Sequence, residues 1–581
     1  MSMIEKAKSQ IDALVRGAYE SAAGKGLLPP GAELKGTIEI PKDTVYGDYA
    51  CSYAMSAAKA MRMPPKKIAE TLAAEMDLSG SYFASVSVAG AGFINFTLAP
   101  SWYGGVLQDV EASGDTYGAC DFGGGRRVMV EFVSANPTGP MHMGNARGGV
   151  LGDSLASVLQ RAGFEVAREF YVNDTGNQID KFARSIDARY RQLIHGEESV
   201  AFPEDGYHGD DIRELAKAFR EENGDGAEVL PEDERLRKMG EFGLRRNIPK
   251  MRADLERYKI FYDKWFFESS LHESGFVAET LEKLTEKGRT YEKDGALWLK
   301  TSELLREKYR AEGKTDAQIE KLDLKDDVLR RANGFCTYFA ADIAYHRDKL
   351  ERRKFDIAVN IWGADHHGHV ARLQAALDAL GLDGSHRLVI VLMQLVNLMR
   401  DGEVVRMSKR TGKAIALCDL LDEISVDAAR YFFNSRASDS HLDFDLGLAV
   451  REDSENPVYY VQYAHARICS LIAMLKGEGH AVPRAENIDA SLLTATEERE
   501  LLKQIALLPE EIRLSARDWD PSRINRYVQE LAARFHRFYN ACRIRGEEEG
   551  LLCARLKLAA ATRDVIKNCL TLIGVTAPEK M

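Results

Sequence analysis

The chain has 581 residues, 45% hydrophobic and 29% charged, with 47 Gly and 16 Pro. This ordinary globular composition excludes collagen-like and disordered classes and leaves room for about three to five domains. A formal net charge of −11 at pH 7 excludes a chain that coats nucleic acid through bulk positive charge, while leaving a local basic patch open.

The N-terminal segment MSMIEKAKSQIDALVRGAYE mixes charged and apolar residues and lacks the apolar core of a signal peptide, so a cytoplasmic protein is expected. Eight cysteines without a C-x-x-C pair indicate neither a zinc ribbon nor a disulfide framework, and buried thiols in a reducing compartment are expected. Residues 1–118 read as an α+β unit, with helical patterns at 4–24 and 65–77 and short strands near 37–40 and 93–98. Gly123-Gly124-Gly125 then marks a change of style.

An apolar strand at 128–133, a loop, a helix from about 145 to 162 ending at Gly163, and a strand at 170–172 make one β-loop-α-β unit. A second follows at 357–362, 370–380 and 388–396. Two such units predict a doubly wound, Rossmann-like parallel sheet over 119–440. Between them, 176–330 is charge-rich and reads as a mostly helical insertion. The most apolar stretch, 388–399, is broken by Gln394 and Asn397 and is far shorter than the roughly 20 residues of a membrane helix, so no membrane span is expected. Strand signals fade from about 418, and helical periodicity through 456–476, 496–515, 522–542 and 555–570 predicts an all-α domain over 441–581.

Ligands of open α/β sheets bind beyond the carboxyl ends of the strands, where a helix start offers free N–H groups. The loop 134–145 lies there, with His142 and Gly144 at the helix start. Gly144 lets a ring or phosphate approach the backbone, and His142 is placed to donate to phosphate oxygens. Helix capping is the competing role. Beyond the other half of the sheet lies Arg406-Met407-Ser408-Lys409-Arg410-Thr411-Gly412-Lys413, a basic loop suited to polyphosphate, whose leaving group gathers charge in a transition state.

His142-Met143-Gly144-Asn145 resembles the H-I-G-H signature of class I aminoacyl-tRNA synthetases, and Met407-Ser408-Lys409-Arg410 resembles their K-M-S-K-S loop. The surrounding blocks are similar to arginyl-tRNA synthetases: 130–140 before the first signature, Tyr171-Val172-Asn173-Asp174, Gly334 to His346, 362–368 and 574–581. Asn145 replaces the usual second histidine and Arg406 the usual first lysine; Asn still donates a hydrogen bond and Arg keeps the charge.

The resemblance implies that arginine and ATP form arginyl-adenylate, with Mg²⁺ helping, and that the arginyl group then passes to the 3′ end of its tRNA. It also implies that adenylate formation needs tRNA. His142, Asn145 and Lys409 would stabilise the moving charge. Pro140, Gly144, Gly363, Asp365, Met407 and Ser408 would complete the ATP site. A guanidinium needs carboxylates in a fork, and the matching arginine positions are Glu131, Ser134, Asn136, Tyr338, Asp342 and His366. Tyr338 and Asp342 lie one helical turn apart. Asp365-His366-His367-Gly368-His369 has a rival reading as a metal site. However, the D-x-D spacings of metal phosphoesterases fall downstream here, at Asp443/Asp445 and Asp518/Asp520, so no metal site is expected.

In the family the helical domain reads the anticodon, and the N-terminal domain, where Gly47-Asp48-Tyr49-Ala50 matches, contacts the tRNA elbow. Residues 521–545 hold Arg523, Arg526, Arg534 and Arg537 among aromatics, a pattern that follows a nucleic-acid backbone, although Phe535 and Phe538 also have core spacing. A monomer is expected. Two other readings are a nucleotidylyltransferase of the same H-x-G-H superfamily and a non-catalytic tRNA-binding paralogue. The first leaves the outer domains without a purpose, and the second would be expected to lack Lys409.

Overall fold

The computed structural model describes residues 1–400, 402–405 and 415–581. Its N-terminal unit begins with the helix Met3–Gly24, started by Ser2 and Glu5 in a reciprocal capping box. Ile4, Ala7, Ile11, Val15, Ala18 and Ala22 are buried along one face at helical spacing. Strands β1 (Ile38–Glu39), β2 (Tyr49–Cys51), β3 (Phe83–Ala89) and β4 (Phe93–Leu98) form an antiparallel sheet in the order β1-β2-β4-β3.

The central sheet joins β5 (Arg127–Glu131), β6 (Glu165–Val172), β7 (Lys264–Phe267), β11 (Ile357–Gly363) and β12 (Leu388–Met393) in the order β12-β11-β5-β6-β7, all parallel. Apolar runs such as Ile357-Ala358-Val359 are buried, as strands covered on both faces require. The order reverses between β5 and β11, which opens the ligand crevice there. The helix Met143–Arg161 crosses from β5 to β6. A Cβ on Gly152 would lie 2.1 Å from the Phe132 ring, so glycine lets this helix settle on the strand.

The segment expected as a mostly helical insertion is more varied. Helices Asn177–His195, Asp210–Asn223 and Glu232–Arg257 share a core of their own around Phe182, Tyr190, Phe219 and Phe242. The chain then returns to the main sheet as β7, where Trp265-Phe266-Phe267 supplies an apolar run too short to announce itself. Strands β8 (Thr290–Lys293), β9 (Ala296–Leu299) and β10 (Asp327–Arg330) make a small antiparallel sheet. Its β8–β9 turn is Asp294-Gly295, both residues at positive φ, the conformation that Asp-Gly favours in a two-residue hairpin.

Strand structure also continues past 418: β13 (Val396–Arg400) pairs with β14 (Glu403–Val404) and, in parallel, with β15 (Leu442–Asp445). The remaining chain is helical, with Pro457–Gly477, Thr496–Ala506, Ser522–Ala541 and Glu549–Leu572 as its long elements. Buried Arg430 ties the parts together, donating to the carbonyls of Ile573 and Tyr258 and pairing with Asp153 on the Met143–Arg161 helix. Gly574, at φ +67°, lies against that guanidinium, where a Cβ would come within 2.3 Å of it. Among the described residues no helix is long and apolar enough to cross a membrane.

Candidate active site

The chain leaves β5 at Glu131 and turns sharply through Val133 (φ 69°) and Ser134 (φ 42°). A β-branched residue at positive φ is strained, and such strain survives where the surroundings hold the turn. Here Ser134 Oγ donates to Glu131 Oε1 (3.0 Å) and accepts from the Tyr171 amide (3.1 Å), tying the turn to β6. Asn136 and Pro140 follow, exposed at the crevice mouth.

His142 is the N-cap of the next helix. Its Nδ1 accepts from the Gly144 amide (3.1 Å), while Asn145 Oδ1 accepts from the His142 amide (3.0 Å). Capping and chemistry are thus compatible: with Nδ1 as acceptor, the neutral ring carries its proton on Nε2. Desolvation lowers the His142 pKa below its ordinary value, favouring that neutral donor at pH 7. A Cβ on Gly144 would sit 3.0 Å from the His142 ring, so glycine lets the ring lie close over its own helix start.

Arg406, Met407, Ser408 and Lys409 of the basic loop lie outside the described residues. The flanking residues are placed: the Val405 amide donates to Leu398 O (2.7 Å), Ala416 bridges His142, and the Leu417 amide donates to Met141 O (2.8 Å). The segment after the basic loop therefore abuts the His142 cap. Buried Arg147, its pKa lowered to about 10 by desolvation, reinforces this meeting by donating to the carbonyls of Gln394, Ala437 and Ser440.

Deeper in the crevice the carboxyl ends of the strands bring acids together, though not in the expected combination. Glu131 is spoken for: besides Ser134 it receives Nζ of fully buried Lys349 at 2.5 Å, and Lys349 also donates to Asn360 Oδ1 (3.1 Å). A buried ammonium needs such a partner, so the fork expected from Glu131, Asp342 and Tyr338 loses Glu131 as an open acid.

A second buried acid at this end of the sheet is Glu268, only 4% exposed, directly after β7. Glu268 is approached by Thr175 Oγ1 (3.4 Å), His272 (3.6 Å) and the Asn173 amide nitrogen (3.3 Å). Tyr171 lies among the acids, its pKa pushed far up by burial and by the charges of Glu268 and Asp342. Asp342, on the helix Tyr338–Arg347, accepts from His369 Nε2 at 2.9 Å. Burial raises its pKa, opposed by His369 and reinforced by Glu131 and Glu268. Tyr338, 48% exposed, stands at the rim beside Gly176 and bonds Asn173. The signal for Glu268 was a carboxylate following the aromatic run at 265–267, legible only once that run is known to be a strand of the main sheet.

His366 lies beside Trp362 and exposed Asp365 rather than among these acids. Gly363 leaves room for the Asp365 carboxylate, whose Oδ1 would lie 2.4 Å from a Cβ there. His369 points to Asp342, which divides the Asp-His-His-Gly-His run. Among the described residues no group of three or more His, Cys, Asp or Glu is arranged to hold a metal ion.

The basic segment of the helical domain also changes character. Arg523 pairs with Glu511 (3.1 Å), Arg526 with Asp520 (3.1 Å), Arg534 with Glu500 (2.6 Å) and Glu530 (2.8 Å), and Arg537 with Glu530 (2.9 Å). Arg523 and Arg534 are half-buried ties between helices, and Phe535 and Phe538 are core. A different face presents aromatic rings. Tyr459 stacks with Tyr463 (centroids 6.2 Å apart), Tyr463 with His536 (6.1 Å), and Arg467 lies 4.0 Å over the Tyr539 ring. Tyr459, Tyr463 and Arg467 recur every fourth residue on one helix face, a spacing visible in sequence.

Family models match most of the chain. The arginyl tRNA synthetase N terminal domain covers residues 7–98, the catalytic domain of class I (R) tRNA synthetases 108–445, and the DALR anticodon binding domain 461–581. The arginine–tRNA ligase of Acetivibrio thermocellus is 52% identical over 580 residues, 100% of each chain. That of Ruminiclostridium cellulolyticum is 50% identical over 574 residues, 99% of each. The fold is similar to Thermus thermophilus arginyl-tRNA synthetase, with a TM-score of 0.69 at 22% identity over 98% of this chain and 100% of that one.

Proposed function

The chain belongs to the arginyl-tRNA synthetase family, and from that premise we propose how its residues divide the work. The reaction is the ATP-dependent ligation of L-arginine to tRNA by a class I enzyme. The observation that carries the assignment is the pair of acids Glu268 and Asp342 set around Tyr171 and Tyr338, at the same end of the sheet as the His142 cap.

Glu268 and Asp342 take the guanidinium, with Tyr338 at the rim, because a planar five-donor cation is best met by carboxylates from two sides. Ser134 and Asn136, on the strained turn, face the amino-acid backbone end. Glu131, neutralised by Lys349, holds Ser134 in place. The arginine carboxylate then attacks the α-phosphorus of ATP, a P–O bond forms, and the bond to pyrophosphate breaks. No protein nucleophile is needed; the chain contributes position and charge stabilisation.

His142 Nε2–H, the Asn145 amide and the helix N-terminus meet the phosphate oxygens, together with Lys409 of the basic loop. Gly144 and Pro140 border the nucleotide on one side, and Gly363, Asp365 and His366 on the other, with Met407 and Ser408 completing the site from the basic loop. Mg²⁺ enters with ATP as part of the substrate. The terminal hydroxyl of the tRNA then attacks the arginyl carbonyl and releases AMP. The Tyr459–Tyr463–His536 face, with Arg467, supplies stacking surfaces for tRNA bases. A substrate set of tRNA, arginine and ATP fits a cytoplasmic enzyme.

Pyrophosphate exchange with each of the twenty amino acids, with and without tRNA, tests the reading. Arginine-dependent, tRNA-dependent exchange that Asp342→Asn largely abolishes is expected; undiminished exchange in that variant would move the fork elsewhere.

A further inference from the structure

Asp342 is not held by its own helix. Its Oδ2 receives His369 Nε2 at 2.9 Å from the helix His367–Ala379, and the other face of that imidazole is also engaged: Arg372 Nη2 lies 3.3 Å from His369 Nδ1. Arg372 is fixed in turn, donating through Nη1 to Asp327 Oδ1 (2.6 Å) on β10 and through Nε to Gly368 O (3.1 Å). The imidazole is wedged between Phe339 and Trp362, with ring centroids 5.2 and 5.6 Å away. A chain of charge-assisted bonds thus runs from the small sheet of the insertion to an acid of the arginine site.

A guanidinium has only donors, so its approach to Nδ1 requires a lone pair there, and the proton of His369 must sit on Nε2. We propose that His369 is a positioning residue for arginine selection: held by Arg372 as the Nε2–H tautomer, it orients the Asp342 carboxylate toward the substrate guanidinium. The proposal rests on the reading that Asp342 takes the guanidinium. Burial and the nearby Glu131 and Glu268 push Asp342 toward its protonated form, and His369 opposes them. A protonated Asp342 would donate a hydrogen bond, mismatching a guanidinium but suiting the carbonyl of a neutral ureido side chain such as that of citrulline. The bond from His369 therefore separates the charged substrate from its neutral isostere.

The test uses the full-length enzyme with tRNA present, measuring KM for arginine and ATP and the preference for arginine over citrulline. His369→Leu should raise the arginine KM about 10- to 100-fold, the size expected for one hydrogen bond to a charged group, and lower the preference by a similar factor. The ATP KM should stay within about twofold. His369→Gln, whose amide nitrogen can reach the position of Nε2, should recover most of both losses. Arg372→Met should raise the arginine KM in the wild-type background and add little to His369→Leu. Equal damage from Leu and Gln, an unchanged preference, or additive effects of Arg372 would overturn the proposal. Asp342→Asn separates the two levels: if it leaves arginine kinetics intact, the fork assignment is what fails; if it cripples arginine use while His369→Leu does not, the relay fails alone.

Discussion

Glu268→Gln separates the proposed fork of Glu268 and Asp342 from the fork expected of Glu131. The substitution keeps the shape and one of the two acceptor oxygens that face Thr175 and Asn173 but removes a charge that is almost wholly buried after β7. Losing one partner of a buried, hydrogen-bonded charge pair costs about 2–5 kcal/mol. Arginine kcat/KM should therefore fall by roughly 30- to several thousand-fold, with the ATP KM little changed, in tRNA-dependent pyrophosphate exchange at varied arginine. Glu131→Gln should behave differently. It strands the Lys349 ammonium, 2.5 Å away and fully buried, so its main cost is about 3–5 kcal/mol of folding stability, read by urea unfolding. Arginine kinetics within about threefold of wild type in Glu268→Gln, together with a severe loss in a still-stable Glu131→Gln, would refute the reasoning and return the fork to Glu131.

His142→Ala should lower kcat for adenylation by about 10²–10³-fold, as for loss of one preorganised donor, and cost a further ~1 kcal/mol of stability from the lost cap; a rise in ATP KM at unchanged kcat would make His142 a binding residue only. Stability should fall as the pH drops below about 6.5, because burial holds His346 and His142 at lowered pKa values and the unfolded chain takes up those protons first. Buried His346 contributes up to about 1.4 kcal/mol per pH unit until its own folded pKa is passed, and exposed His142 less; His346→Gln should flatten the curve seen in unfolding at pH 5–7. Tyr463→Ala should raise the tRNA KM by about 5- to 150-fold, the worth of a stacked base. Arg534→Gln, which breaks a tie to Glu500, should lower Tm while leaving the salt dependence of tRNA binding nearly unchanged; a flattened salt slope would instead show Arg534 on the tRNA.

The parallel sheet was legible because 128–133 and 357–362 are short buried apolar runs, each followed by a loop and a helical pattern. Strand β7 was not, since four residues inside a charged insertion carry no periodicity, and β15 was masked by the helices around its Leu-Asp-Phe-Asp alternation. His142 and Asp342 could be found from sequence, one by its place at a helix start and the other by a resemblance. Glu268 could not, because its place near Asp342 comes from the edge position of β7. Lys349 sits in Asp-Lys-Leu-Glu-Arg-Arg, which reads as a solvated helix face; a π-helical turn at Asp348–Arg352 carries it inward to Glu131 instead. The ion pairs of Arg523 and Arg534 were hidden for the opposite reason. Their acidic partners Glu500 and Glu511 come from other helices, which local charge counting does not see.

A crystal structure with arginine bound tests the central claim most directly. The guanidinium should lie between Glu268 and Asp342, with nitrogen-to-oxygen distances of about 2.7–2.9 Å to both, while Lys349 remains on Glu131. A guanidinium seated against Glu131, with Lys349 displaced, would contradict the account.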